Sequence, residues 1–198
     1  MDSPRMSSAP HLGGAQRASL RDRYLAAPDF AAMLAAAEKN VELWAAMWRH
    51  ARVDDEFLRR AAALPGSWHL LVLSEDWCGD AVNTVPVVAK LAERSPNMDL
   101  RVLGREMNPD LMDAHLTGSS RSIPVVIALD ESFEERGWWG PRPTVLQHWV
   151  SGQGQLLEKS ARYREARIWY ARDQGRTTLE EVVSMLERAA IPRGGSRR

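Results

Sequence analysis

The one cysteine of the chain, Cys78, lies in the stretch Ser74-Glu75-Asp76-Trp77-Cys78-Gly79-Asp80-Ala81 and is the residue best placed to do chemistry. An apolar run, His69 to Leu73, leads into it. Rich in leucine and valine and too short for a membrane helix, this run reads as a buried strand. Past Asp80, residues Val82, Val85, Val88, Ala89 and Leu91 form a helical stripe. A thiol where a strand hands over to a helix meets free amides and the positive end of the helix dipole, and both favour a thiolate nucleophile. The competing reading is a buried cysteine that serves as a small hydrophobe. Its position favours a functional thiol.

Other chemistries find little in the chain. A single cysteine excludes an intramolecular disulfide and a cysteine-rich zinc site. His11, His50, His69, His115 and His148 are scattered, with no partner carboxylates at metal spacing, no phosphate loop and no dinucleotide fingerprint. Serine and metal hydrolases therefore gain no support. Lys+Arg and Asp+Glu balance at 26 each, so no global field calls for a nucleic acid or a membrane surface. Met1 to Arg23 lacks the apolar core of a signal peptide, and no stretch approaches a membrane span, so the expected compartment is the cytoplasm.

A chain of 198 residues suits one domain plus an appendage. Residues 1–24 hold Ser, Pro, Gly and Arg without periodicity and are expected to form a disordered arm. Residues 25–53 form a helical extension in which Phe30, Met33, Leu34, Ala37, Val41, Trp44 and Trp48 share a face. Asp29 is its candidate cap, and Asn40 a break into two helices. The aromatic stripe is expected to pack on the next domain, over residues 54–190. There Asp54 or Asp55 caps a helix that Pro65-Gly66 ends. Asp99 to Gly104 reads as a strand, Pro109 to Leu116 as a short helix, and Val125–Leu129 with Phe133–Trp139 as a hairpin. A helical insertion at about 142–175 follows. It comprises a brief helix from Thr144 to Val150 and a polar one from Leu156 to Arg172, the latter with Leu157, Ala161, Ile168 and Trp169 inside and a solvated basic face. Thr177-Thr178-Leu179-Glu180-Glu181 offers a capping box for the last helix, before a basic tail at 191–198.

Trp77-Cys78-Gly79-Asp80-Ala81 resembles the thioredoxin active-site motif Trp-Cys-Gly-Pro-Cys, with its last two residues changed. Pro86, eight residues after Cys78, matches the proline of the family's active-site helix. Ser122-Ile123-Pro124 resembles the segment that carries the family's cis-proline beside the cysteine. Asn108-Pro109 is similar to the turn after the central strand, and Gly140, sixteen residues past Pro124, to a glycine beyond the last strand. The resemblance spans about Asp54 to Gly140 and a closing helix. It implies an α/β thioredoxin-like fold, a central mixed sheet of about four strands flanked by helices. Extra N-terminal helices stand in for the family's first strand, and a helical C-terminal extension is added. It further implies Cys78 as nucleophile, with Trp77, Gly79, Asp80, Ser122, Ile123 and Pro124 contacting the substrate.

Ala81 stands where the family keeps its resolving cysteine, so a captured mixed disulfide has no internal exit. Val72 and Val102 replace the family's buried acid and its lysine partner, a loss of both members of one proton relay. Glu75, Asp76 and Asp80 oppose ionisation of Cys78, with no basic residue close in sequence to offset them. Asp80 is equally a good first-turn helix residue. The thiol is expected to be less acidic than in an ordinary thioredoxin, yet faster to react than in an unfolded chain near neutral pH. Monothiol exchange is the function these residues imply. It needs no bound cofactor, takes a protein or small-molecule thiol or disulfide as partner, and uses a low-molecular-weight thiol such as glutathione as co-substrate. The alternative is a redox-inert module that binds an extended peptide or a partner protein. A glutaredoxin-like iron–sulfur carrier, the third reading, shares only Cys-Gly followed by a non-cysteine.

Overall fold

Strand β1 (Trp68–Ser74) is the axis of the molecule, and Leu70 to Leu73 are without solvent exposure. The computed structural model describes residues 19–191, so the expected arm up to residue 18 and the tail from 192 lie outside the described residues. Strand β2 (Met98–Gly104) runs parallel to β1 on one side. Strand β3 (Val125–Leu129) runs antiparallel on the other, followed by β4 (Glu135–Trp139), which gives the order β2-β1-β3-β4. An irregularity at Ala128/Leu129 shifts the hairpin register. The mixed four-stranded sheet flanked by helices is the expected α/β thioredoxin-like layering.

The helix that links the two parallel strands is α5 (Gly79–Arg94), buried along Val82, Val85, Val88 and Leu91. It packs on β2, and the closing helix α9 (Arg176–Ala189) packs on β4 and on α5. Val72 and Val102 are cross-strand partners, both buried. An isolated charge on either strand would lack its mate there, so the two positions are apolar together.

Leu20–Ala26 is helix α1, where the sequence leads one to expect the arm to run on to residue 24. Long-range contacts explain the difference. Ser19 caps the helix, and Arg23 pairs with Asp110 at 2.7 Å. Tyr24 is buried, donates to Asp99 at 2.6 Å, and leans on His69, whose ring stacks on Phe133 at 4.4 Å. The next helices are α2 (Phe30–Ala36), capped by the Asp29 side chain, and α3 (Val41–His50). Asn40, at φ 53°, breaks the pair as its type suggests. Trp44 is fully buried and Phe30 nearly so, whereas Val41 is exposed. Helix α4 (Asp55–Ala62) precedes β1, and α6 (Pro109–Asp113) follows β2.

Two differences fall in the C-terminal part. After α7 (Thr144–Ser151) and a 3-10 turn at Gln153–Leu156, helix α8 (Lys159–Asp173) begins later than its sequence pattern suggests. It buries Ala166 and Tyr170 while Leu157 and Ile168 stay exposed. Its apolar side chains, Trp169 among them, join a small satellite cluster with Leu146 and Trp149, which demands few apolar positions. The expected capping box of α9 is also absent. Gln174 and Gly175, both at positive φ, turn the chain so tightly that the Asp173 carboxylate accepts from the Thr177 amide and hydroxyl.

His115 is buried, with Nδ1 on the Leu111 carbonyl at 2.7 Å and Nε2 on Glu135 at 3.1 Å. Burial works against its charged form, but the Glu135 carboxylate and the Leu111 carbonyl outweigh it and raise the pKa. A raised folded-state pKa gives stability that is complete below the unfolded value of about 6.5 and fades as pH rises through the folded value. Thermal midpoints should therefore fall across that alkaline-going window in the wild type, and less so in Glu135→Gln. Parallel profiles for the two proteins would contradict this.

Candidate functional site

Cys78 is the N-cap of α5 and is 7% exposed. Its Sγ donates to the Ile123 carbonyl at 3.4 Å, and Ile123-Pro124 is a cis peptide, the arrangement the sequence resemblance implies. Cys78 is thus brought against Ile123, the residue before Pro124, with Ser122 half-buried just before them. Trp77 and Gly79 are exposed, and the Arg105 guanidinium lies 5.1 Å over the Trp77 ring. Ala81 is wholly buried in the resolving position.

The carboxylates near Cys78 in sequence part company in space. Asp76 turns to the N-terminal extension, where it accepts from the amides of Glu38 and Lys39 at 2.9 Å each. Burial pushes its pKa up, but these amides hold it below the usual carboxylate range. The Asp76 carbonyl accepts from the Trp44 indole at 2.9 Å and from Asn40 at 3.1 Å. Glu75 reaches the other way, to the Glu106 amide at 3.1 Å. Of the three acids expected to oppose the thiolate, only Asp80 faces it.

Asp80 is not alone. Arg142 pairs with its Oδ2 at 2.6 Å, and the Tyr170 hydroxyl donates to its Oδ1 at 2.9 Å. Arg142 also donates to Gln147 Oε1 at 2.7 Å. No basic residue lies near Cys78 in the sequence, but the fold delivers Arg142 from the segment after β4 and the Tyr170 hydroxyl from α8. That segment is fastened by Glu181 of α9, which accepts from the Trp139 indole at 2.7 Å and the Thr144 amide at 2.8 Å. It is also pressed onto the cis-proline: at Gly140 a Cβ would stand 2.2 Å from the Pro124 carbonyl oxygen.

Burial, first, and then the Asp80 charge push the Cys78 thiol up; the amides of Ala81 and Asp80 and the Arg142 charge pull it down without prevailing. The expectation of a thiol more reactive than in the unfolded chain near neutral pH runs against this balance, because burial was not visible in the local sequence. Burial also disfavours the charged form of Arg142, and Asp80 more than restores it. Tyr170 is pushed up by burial and by Asp80, so it remains a neutral donor. Among the described residues, no group of three or more His, Cys, Asp or Glu is placed to hold a metal ion. None of their helices is long and apolar enough to cross a membrane.

A four-stranded sheet with one cysteine at the head of its central crossover helix, set against a cis-proline, defines the thioredoxin-like class. The family profile described as Thioredoxin matches residues 27–164, and the chain belongs to that family. Among solved structures it is similar to a protein of unknown function from Pseudomonas aeruginosa, with a TM-score of 0.69 and 20% identity over 86% of this chain and 98% of that one. An HIV epitope-scaffold superimposes with a TM-score of 0.66, also at 20% identity and the same coverage. At that identity the likeness extends to the fold alone. No curated protein matches the chain.

Proposed function

We propose that the chain performs monothiol thiol–disulfide exchange through Cys78, in a reducing compartment such as the cytoplasm. The observation that carries this reading is the position of the sulfur, at the N-cap of α5 and 3.4 Å from the Ile123 carbonyl that precedes the cis-proline. The Asp80 and Ala81 amides at the head of α5 favour its charged form. In the reaction the thiol first gives its proton to solvent base. The thiolate then attacks a disulfide, a Cys78–sulfur bond forms as the substrate S–S bond breaks, and the leaving thiolate takes up a proton. With Ala81 in the resolving position, a second thiol such as glutathione attacks the mixed disulfide, regenerates the Cys78 thiolate and carries off the new disulfide. The exposed Trp77 and the Ile123-Pro124 edge border the substrate. The raised thiol makes exchange slow near neutral pH and faster as pH rises.

The second reading, a redox-inert module that binds a peptide or protein, is favoured by the 7% exposure of Cys78. Mass spectrometry after incubation with oxidised glutathione separates the two. The expected product is one glutathionyl adduct on the native chain, absent from Cys78→Ser and removed by excess reduced glutathione. Native protein that stays unmodified up to alkaline pH, while the denatured chain is modified, would leave the binding module in possession.

A further inference from the structure

Three contacts form a closed ring about the thiol. Cys78 lies on the Ile123 carbonyl, Gly140 is pressed on the Pro124 carbonyl oxygen, and Arg142, two residues past Gly140, pairs with Asp80, two residues past Cys78. A guanidinium is thereby held in the wall of the site, yet its charge is spent on a carboxylate. Both side chains are largely shielded from water, at 17% and 16% exposure, so the pairing is little screened by salt.

We propose that Arg142 is the counter-ion of the Cys78 thiolate, kept from the sulfur by Asp80 and Tyr170, so that the C-terminal extension sets the reactivity of the site. Asp80 has two partners, the Arg142 guanidinium and the Tyr170 hydroxyl, and both come from beyond β4. Arg142 has one further tether, the neutral Gln147. When Asp80 loses its charge, Nη2 of Arg142 gives up its ionic partner while Nη1 stays anchored, and the positive charge is left to the neighbouring sulfur. The groups that face the thiol come from several elements: helix α5 presents Asp80, the segment after β4 presents Arg142, α8 presents Tyr170 to Asp80, and the strand entry presents the Ile123 carbonyl. Glu75 and Asp76 are engaged elsewhere. In line with this geometry, the Arg142 charge lowers the thiol pKa and the Asp80 charge raises it. Arg142 is a positioning residue; the sulfur alone reacts.

This role deepens the exchange reading and rests on it for its use, while the charge balance itself is a property of the folded chain. The test is the pH profile of Cys78 alkylation by iodoacetamide, measured on the full chain in a double-mutant cycle. Asp80→Asn keeps the acceptor for Tyr170 and removes only the charge. It should lower the midpoint by about one pH unit, about a tenfold gain in rate below the midpoint. Arg142→Gln should raise the midpoint. In the Arg142→Gln background, Asp80→Asn should recover less than half of its shift. Equal shifts with and without Arg142, or no shift from Asp80→Asn, would overturn the proposal. Circular dichroism verifies folding. If Arg142→Gln does not fold, Arg142→Lys takes its place. It keeps the charge, so its midpoint should stay near the wild-type value, and a rise as large as that expected for charge loss would overturn the role. Glutathionylation of the same variants separates the two readings. Midpoints that move as expected without any adduct sink the exchange reading alone, and adducts with unmoved midpoints sink Arg142 alone.

Discussion

Gly140→Ala is expected to lower the thermal midpoint by about 6–12 °C, the counterpart of a loss of about 3 kcal/mol in a chain of this size. Gly140 has φ 141°, a conformation that costs a non-glycine residue about 1–3 kcal/mol. Overlap adds to this, since the new methyl would stand 2.2 Å from the Pro124 carbonyl oxygen, a backbone atom that cannot swing aside. Relief requires the β3 entry or the segment that leads to Arg142 to shift, and both border Cys78. Gly137→Ala is the matched control, because its Cβ would meet only the flexible Met185 side chain at 3.4 Å. Scanning calorimetry on the two variants decides the matter. Equal midpoints within about 2 °C would mean that the contact between Gly140 and Pro124 is slack.

Trp44→Ala is expected to be at least as damaging. Trp44 is fully buried, its ring 6.2 Å from that of Phe30, and its indole N–H reaches the Asp76 carbonyl at 2.9 Å. Truncating a buried tryptophan costs about 3–5 kcal/mol, from lost burial and the cavity left behind. Trp44→Phe keeps most of the apolar contact and loses the hydrogen bond, so a cost nearer 1 kcal/mol is expected. Urea unfolding of both variants measures the two contributions. A loss below about 1 kcal/mol for Trp44→Ala would show that the N-terminal helices are not part of the cooperative unit that holds the Asp76-Trp77 loop.

The fold and the centre of the site were legible because their signals are local. A five-residue apolar run into Cys78, a helical stripe after it, and a proline after Ser122-Ile123 each carry their meaning within a few positions. What escaped was assembled from distant parts. Tyr170 lies 90 residues from the Asp80 it meets, and nothing in a short window marks either it or Arg142 as a neighbour of the thiol. Glu75, Asp76 and Asp80 look alike in the sequence, but backbone amides of Glu38, Lys39 and Glu106 claim the first two. The α8 pattern misled for a related reason: a helix that rests on a satellite cluster needs only Ala166 and Tyr170 inside, and its exposed Ile168 mimics a core position. At the other end, Arg23 and Tyr24 sit in a polar stretch whose order comes from Asp110 and Asp99.

The outer side of β2 shows what the N-terminal helices add besides packing. An outermost strand presents unpaired amides and carbonyls to any other chain with an extended segment, and soluble proteins need some device to blunt it. Here the link between α1 and α2 supplies one. Pro28 accepts from the Val102 amide at 2.9 Å, and Asp29 forms a lone antiparallel bridge with Arg101. Proline has no amide of its own with which to extend the ladder, so the added segment stops after this contact and does not become a fifth strand. The chain thus covers part of its own sheet edge with a segment that has one backbone donor fewer to offer a neighbour. At Arg101 and Val102, the outer side of β2 is thereby covered against strand addition from outside.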